Sequence, residues 1–212
     1  MGGRMARSAT GPRRRPVQVL TSAEIAALLR QCSTTAPTGI RNRALITVMY
    51  RAGPRIDEAL ELRPADVNPA NSSVRILHGK GDKARVTGIS DGSMALIQRW
   101  MDARARLPLP AAALRRAPLF CTLAGGKLSD SYVRNMLRRI RVKAGIEKPV
   151  HPHALRHAYA AGLSERGVPV ATIQALLGHK HLSTTDTYLR HVMPADAIAA
   201  SRSLDDDFLE GL

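Results

Sequence analysis

Apolar positions along this chain fall at helical spacing almost everywhere and alternate only once. After "TSAE" at Thr21 to Glu24, which has the form of a capping box, Ile25, Leu28 and Leu29 mark one face of a first helix. Residues 40–51 predict a second helix with Leu45, Val48 and Met49 inward. "AGP" ends it at Gly53 and Pro54, and Arg55 opens a short third helix with Ile56, Ala59 and Leu60 inward. The period then changes in "SVRILHGKGDKARVTGIS". Val74 and Ile76 alternate with Arg75 and Leu77, "GKGDK" supplies turn chemistry, and Val86 and Ile89 continue beyond it, so a β-hairpin is expected with Lys80 near its tip.

Met94, Ile97, Trp100 and Met101 predict another helix, "PLFCT" a short strand, and "GGKLSD" a turn and cap into a helix over 132–144. On that helix Val133, Met136, Leu137 and Ile140 are apolar, while Arg134, Arg138 and Arg141 fall on another face. Helical segments follow over 153–165, 170–177 and 183–191, and "PADAIAASRSLDDDFLEGL" predicts one more helix with an acidic finish. The expected fold is mainly α with a small antiparallel β-sheet (α+β). Residues 1–16, "MGGRMARSATGPRRRP", lack periodicity and read as a basic disordered tail, 17–193 as the folded body, and 194–212 as a carboxyl-terminal helix or tail.

Charge sharpens this picture. The 212 residues hold 32 Lys and Arg against 17 Asp and Glu, a formal net charge of +15, and such a field attracts polyanions. No stretch approaches the roughly 20 consecutive apolar residues that a membrane span requires, and the basic amino terminus is not followed by an apolar run. A cytoplasmic, nucleoid-associated protein with no membrane partner is therefore expected. Cys32 and Cys121 have neither partner spacing nor a knuckle neighbour, and read as reduced, semi-buried thiols.

Candidate chemistry lies at element ends: Arg55 with Glu58, Lys80, "HALRH" from His153 to His157, His179 after Gly178, and Tyr188. Tyr188 is one of four tyrosines, set among threonines, arginine and histidines that offer a ring little to pack against. Each residue alone has an ordinary reading. Arg55 and Glu58 fit a surface ion pair worth about 0–1 kcal/mol, Lys80 a solvated turn lysine, and Tyr188 a half-buried tyrosine. Taken together they suit attack on a phosphodiester. Charge growing on the non-bridging oxygens calls for forked guanidiniums, here Arg55 and Arg156. The departing 5′ oxygen needs a general acid, for which Lys80 is the candidate. His153 and His179 can donate to the phosphate or move the nucleophile's proton. Tyr188, with an ordinary pKa near 10, needs those cations to act as a nucleophile.

This set resembles the catalytic domain of the tyrosine recombinases, the phage-integrase family. "GPRIDE" carries Arg55 and Glu58, "GKGDK" carries Lys80, "HALRH" carries His153 and Arg156, and "LLGH" followed by "STTDTY" carries His179 and Tyr188. The resemblance covers Arg55 to Tyr188 in matching order. It implies a site-specific recombinase or integrase that breaks and rejoins double-stranded DNA through a 3′-phosphotyrosyl link, with no cofactor, metal or ATP. By the same resemblance, Glu58 orients Arg55 and His157 supports packing or hydrogen bonding. It also implies a homo-tetramer on DNA in which residues 194–212 can pass between subunits. The basic positions Arg134, Arg138, Arg141 and Lys83 are the expected DNA contacts. Two departures stand out. The stretch before Thr21 is too short for the separate amino-terminal domain usual in relatives, and Pro54 stands where relatives often have an aliphatic residue, although a helix start tolerates proline.

Three other readings compete. A non-catalytic DNA-binding accessory protein would use residues 167–192 as a helix-turn-helix, leaving "HALRH" and Arg55 unexplained. A type IB topoisomerase-like enzyme would nick and close one strand by the same tyrosyl chemistry. A metalloprotein would use His153 and His157 with His151, His179 and His181, but it lacks the acidic residue of an HExxH pair.

Overall fold

The computed structural model describes residues 18–77, 84–178, 201–202 and 207–209. Thr21 closes the expected capping box: its hydroxyl accepts from the Glu24 amide while the Glu24 carboxylate accepts from the Thr21 amide, and helix α1 runs over Ser22–Arg30. Helix α2, Pro37–Arg51, begins three residues before the predicted start, because Pro37 occupies the first turn, where its missing N–H costs nothing. Its burial is nearly all-round. Besides Leu45, Val48 and Met49, the polar Arg41, Arg43, Thr47 and Arg51 are also buried. Arg43 Nη1 donates to the Leu29 and Cys32 carbonyls, and Arg41 Nη1 to the Cys121 carbonyl, so these cations staple main chain.

Gly53 adopts φ +57° and turns the chain into α3, Ile56–Glu61. A three-stranded antiparallel sheet follows, in the order β1 (Val67–Asn68), β2 (Ser73–Ile76), β3 (Arg85–Gly88). Strand β1 is too short for its alternation to be visible in the sequence. In β2 and β3, Val74 pairs with Thr87, Arg75 with Val86 and Ile76 with Arg85. Directly paired residues share a sheet face, so Val86 lies outside with Arg75, and Arg85 lies inside with Ile76. Val86 is exposed, and the buried Thr87 takes the inner place.

Helix α4, Asp91–Ala105, packs along α2 and buries Met94, Ile97 and Trp100, whose indole N–H donates to the Leu119 carbonyl. A short α5, Ala111–Arg116, follows where no helix was predicted; none of its residues is buried, so it carries no apolar stripe. "PLFCT" forms no strand. Among the described residues its ladder contact is a single bridge from Cys121 to Lys127, while the Leu119 amide bonds the Leu62 carbonyl. Cys32 and Cys121 are fully rather than partly buried, and burial pushes the Cys32 thiol up to about 11.

Helix α6, Asp130–Lys143, is capped by the Ser129 hydroxyl and buries Val133, Met136, Leu137 and Ile140. Helices α7, Pro152–Glu165, and α8, Val170–Leu177, clasp a small second cluster of Tyr159, Leu163, Ile173, Leu176 and Leu177. Near the end of the chain, a 3-10 turn over Asp207–Leu209 packs against α1. Phe208 there is fully buried, edge-on to the Tyr50 ring at 5.2 Å and beneath the Arg51 guanidinium. Among the described residues, no helix is long and apolar enough to cross a membrane.

Candidate active site

The site forms where the start of α3, the start of β3, the first half of α7 and the end of α8 meet. Arg55 is the N-cap of α3, the position that directs its side chain away from the helix body. Its Nη1 donates to Glu58 Oε1 at 2.9 Å and its backbone amide to Glu58 Oε2 at 2.8 Å. Its Nη2 reaches the Gly178 carbonyl at 3.4 Å. Arg156, 101 residues further along the chain, is buried on α7. Its two terminal nitrogens donate to the Gly53 and Leu177 carbonyls, each at 2.6 Å.

Both guanidiniums therefore reach the carbonyl end of α8. Gly178 adopts φ +65° to close that helix, leaving terminal carbonyls that favour cations. The expected convergence of Arg55 and Arg156 holds, and His179 follows Gly178 directly in the chain.

Glu58 is not half of a surface ion pair. It is 8 % exposed, and a second guanidinium grips it from β3: Arg85 Nη2 lies 2.7 Å from Oε2 and Nη1 3.4 Å from Oε1. Burial pushes the Glu58 carboxyl up, but hydrogen bonds and charge from Arg85, then the amide and guanidinium of Arg55, more than offset this and hold it at about 2. Arg156 moves the other way. Burial, then the like charges of Arg85 and Arg55, lower it to about 10 against the opposing pull of Glu58 and Tyr159. Three guanidiniums crowd one carboxylate, so the cluster keeps a surplus of positive charge and suits a tetrahedral oxyanion.

Arg85 is the residue that the sequence pattern does not single out, since an arginine two positions after Lys83 resembles any strand-edge cation. The available signal was register: with Val74 and Ile76 inward, the pairing of Ile76 with Arg85 places Arg85 on the inner face.

His153 lies in the first turn of α7, exposed, one turn before Arg156, and its ring stands 4.1 Å from that of His157 in an edge-to-face arrangement. His157 thus sits against His153 rather than in the core. His151 serves the helix itself, its Nδ1 accepting from the Ala154 amide at 3.1 Å. Burial, then the charges of Arg134 and His157, lower its pKa. That arrangement suits hydrogen bonding, and among the described residues no group of three His, Cys, Asp or Glu is placed to hold a metal. On α6, Arg134 and Arg138 are exposed and Arg141 half-buried, away from the helix's apolar stripe. Arg134 pairs with Asp130 at 2.8 Å. Lys80, Lys83, His179 and Tyr188 lie outside the described residues, as does the helix expected over 183–191.

A mainly helical domain with this small sheet, closing two arginines and a carboxylate at one helix end, is the catalytic fold of the tyrosine recombinases. The chain belongs to the phage integrase family, which it matches over residues 18–194. It is 35 % identical over 178 residues to tyrosine recombinase XerC 2 of Ralstonia nicotianae, covering 84 % of this chain and 50 % of that one. To tyrosine recombinase XerC of Rhodospirillum centenum it is 36 % identical over 184 residues, 84 % of this chain and 52 % of the relative. The chain thus spans about half the length of these relatives. Among solved structures, XerA recombinase superposes with a TM-score of 0.70 at 27 % identity, over 93 % of this chain and 64 % of that one. XerH site-specific recombinase bound to its difH substrate superposes with a TM-score of 0.63 at 30 % identity, over 77 % and 47 %.

Proposed function

We propose that the chain is a DNA strand transferase of the tyrosine type, acting on double-stranded DNA in site-specific recombination or integration. The observation that carries this reading is the meeting of Arg55 and Arg156 at the Leu177 and Gly178 carbonyls, immediately before His179. Site-specific recombinases solved with their DNA substrate share the fold, which adds support.

In this reading Arg55 and Arg156 bind the non-bridging oxygens of the scissile phosphate, and His153 and His179 donate further hydrogen bonds. The Tyr188 hydroxyl gives up its proton and attacks phosphorus. The bond from phosphorus to the 5′ oxygen breaks, Lys80 protonates that oxygen, and a 3′-phosphotyrosyl ester remains. A 5′-hydroxyl from another strand then attacks the ester, and the tyrosine leaves with its proton restored. Each step exchanges one phosphoester for another, so neither ATP hydrolysis nor a metal is needed to conserve the bond energy. Arg134, Arg138, Arg141 and Lys83 contact flanking phosphates, and residues 194–212 link subunits of a tetramer on DNA.

Incubation with a nicked duplex tests this. Wild-type protein should form a covalent adduct that survives denaturation, and Tyr188→Phe should form none. Salt-sensitive binding with no adduct from wild-type protein would instead identify a DNA-binding relative without chemistry.

A further inference from the structure

We propose that Arg85 is a positioning residue for Arg55, acting through Glu58, so that Arg55 keeps one edge of its fork for a phosphate; the role rests on the strand-transfer reading above. Each Glu58 oxygen is shared between the two arginines. Oε2 takes the Arg55 amide and Arg85 Nη2, while Oε1 takes Arg55 Nη1 and Arg85 Nη1. Arg85 and Glu58 are 9 % and 8 % exposed, whereas Arg55 is 47 % exposed. The buried pair is thus the fixed part and Arg55 the presented one.

A buried carboxylate demands full hydrogen bonding. With Arg85 in place, Arg55 satisfies Glu58 with one terminal nitrogen and directs the other towards Gly178. With Arg85 removed, Glu58 loses the hydrogen bonds from Arg85 Nη1 and Nη2, and the Arg55 fork is drawn further onto the carboxylate and away from an anion. Buried arginines elsewhere in the fold are used differently: Arg43 and Arg104 donate to main-chain carbonyls and hold segments together. Arg85 instead holds the carboxylate that orients a proposed phosphate ligand. Its position at the first residue of β3 ties that orientation to the sheet, since Ile76 pairs with it across the ladder.

A double-mutant cycle on inorganic phosphate binding, run in the Tyr188→Phe background by titration calorimetry, tests this without any chemistry. Arg85→Gln should weaken phosphate about tenfold, the loss of one charge-assisted hydrogen bond. Arg55→Ala should weaken it at least as much, and the double variant no further than Arg55→Ala alone. Arg85→Lys, which keeps the charge beside Glu58 but not the fork, should fall between wild type and Arg85→Gln, and it carries the cycle should Arg85→Gln fail to fold. Unchanged phosphate affinity in the Arg85 variants, or losses that multiply in the double variant, would overturn the role. The nicked-duplex adduct, measured in parallel with Tyr188 present, separates the two ideas. A coupled phosphate cycle without any adduct rejects strand transfer and keeps the positioning. An adduct with independent losses rejects the positioning and keeps strand transfer.

Discussion

A carboxylate buried between two guanidiniums answers to pH unlike one on the surface. The Glu58 carboxyl is held at about 2 in the folded protein against an ordinary 4.5. Its folded-state pKa is depressed, so its contribution is fully present above about pH 4.5 and lost as pH falls towards 2. At about 1.4 kcal/mol per unit, that is on the order of 3 kcal/mol. Glu58→Gln should therefore lower stability at pH 7 by roughly 3–5 kcal/mol, because it leaves buried cations without their counter-charge. The gap from wild type should narrow as the pH is lowered towards 2. Urea unfolding at several pH values checks this; a gap that stays constant would mean that the pair does not set the Glu58 pKa. Arg156 is the complement. The folded site lowers it to about 10, so the protein carries a strained cation that a bound anion would relieve.

At the level of elements, the site depends on the turn between α2 and α3. Gly53 sits at φ +57°, where a Cβ would fall on the Tyr159 ring, and its carbonyl accepts from Arg156. Gly53→Ala should cost about 1–3 kcal/mol from the backbone alone, with ring displacement added, and thermal unfolding reads the sum. A loss below about 0.5 kcal/mol would show that the turn relaxes without holding Arg156. This turn was legible in "AGP", as were α1 from its capping box and α4 and α6 from their apolar spacing. Elements that leave no period were not. Strand β1 is two residues long, α5 packs only a partly buried Leu114 on the core, and "PLFCT" is apolar because it packs rather than because it pairs. The site divides in the same way. Arg55 and Arg156 stand out by motif, whereas Arg85 acts through a register that only the sheet reveals.

Over the whole molecule, the positive charge serves two ends. Arg41, Arg43, Arg51, Arg104 and Arg156 are buried among carbonyls and rings, so part of the net charge is internal scaffolding and the exposed remainder, including Arg134 and Arg138 on α6, supplies the outward field. The carboxyl-terminal stretch engages that scaffold within its own chain. Phe208 covers Arg51 and meets Tyr50, while Ser201 donates to the Gly88 carbonyl at the end of β3 and bonds the buried Tyr159 hydroxyl. Burial raises Tyr159 to about 12, so that hydroxyl stays protonated at neutral pH. A ring packed so completely should be costly to remove. Phe208→Ala should destabilise the chain by about 3–5 kcal/mol, lowering the melting temperature by roughly 6–20 °C for a domain of this size. A shift under about 2 °C would mean that this contact adds little to the stability of the single chain, leaving the 207–209 turn available to a second copy at almost no cost. A large shift makes exchange between subunits a competition against this intramolecular seat, so that linking two copies requires first lifting Phe208 from Arg51.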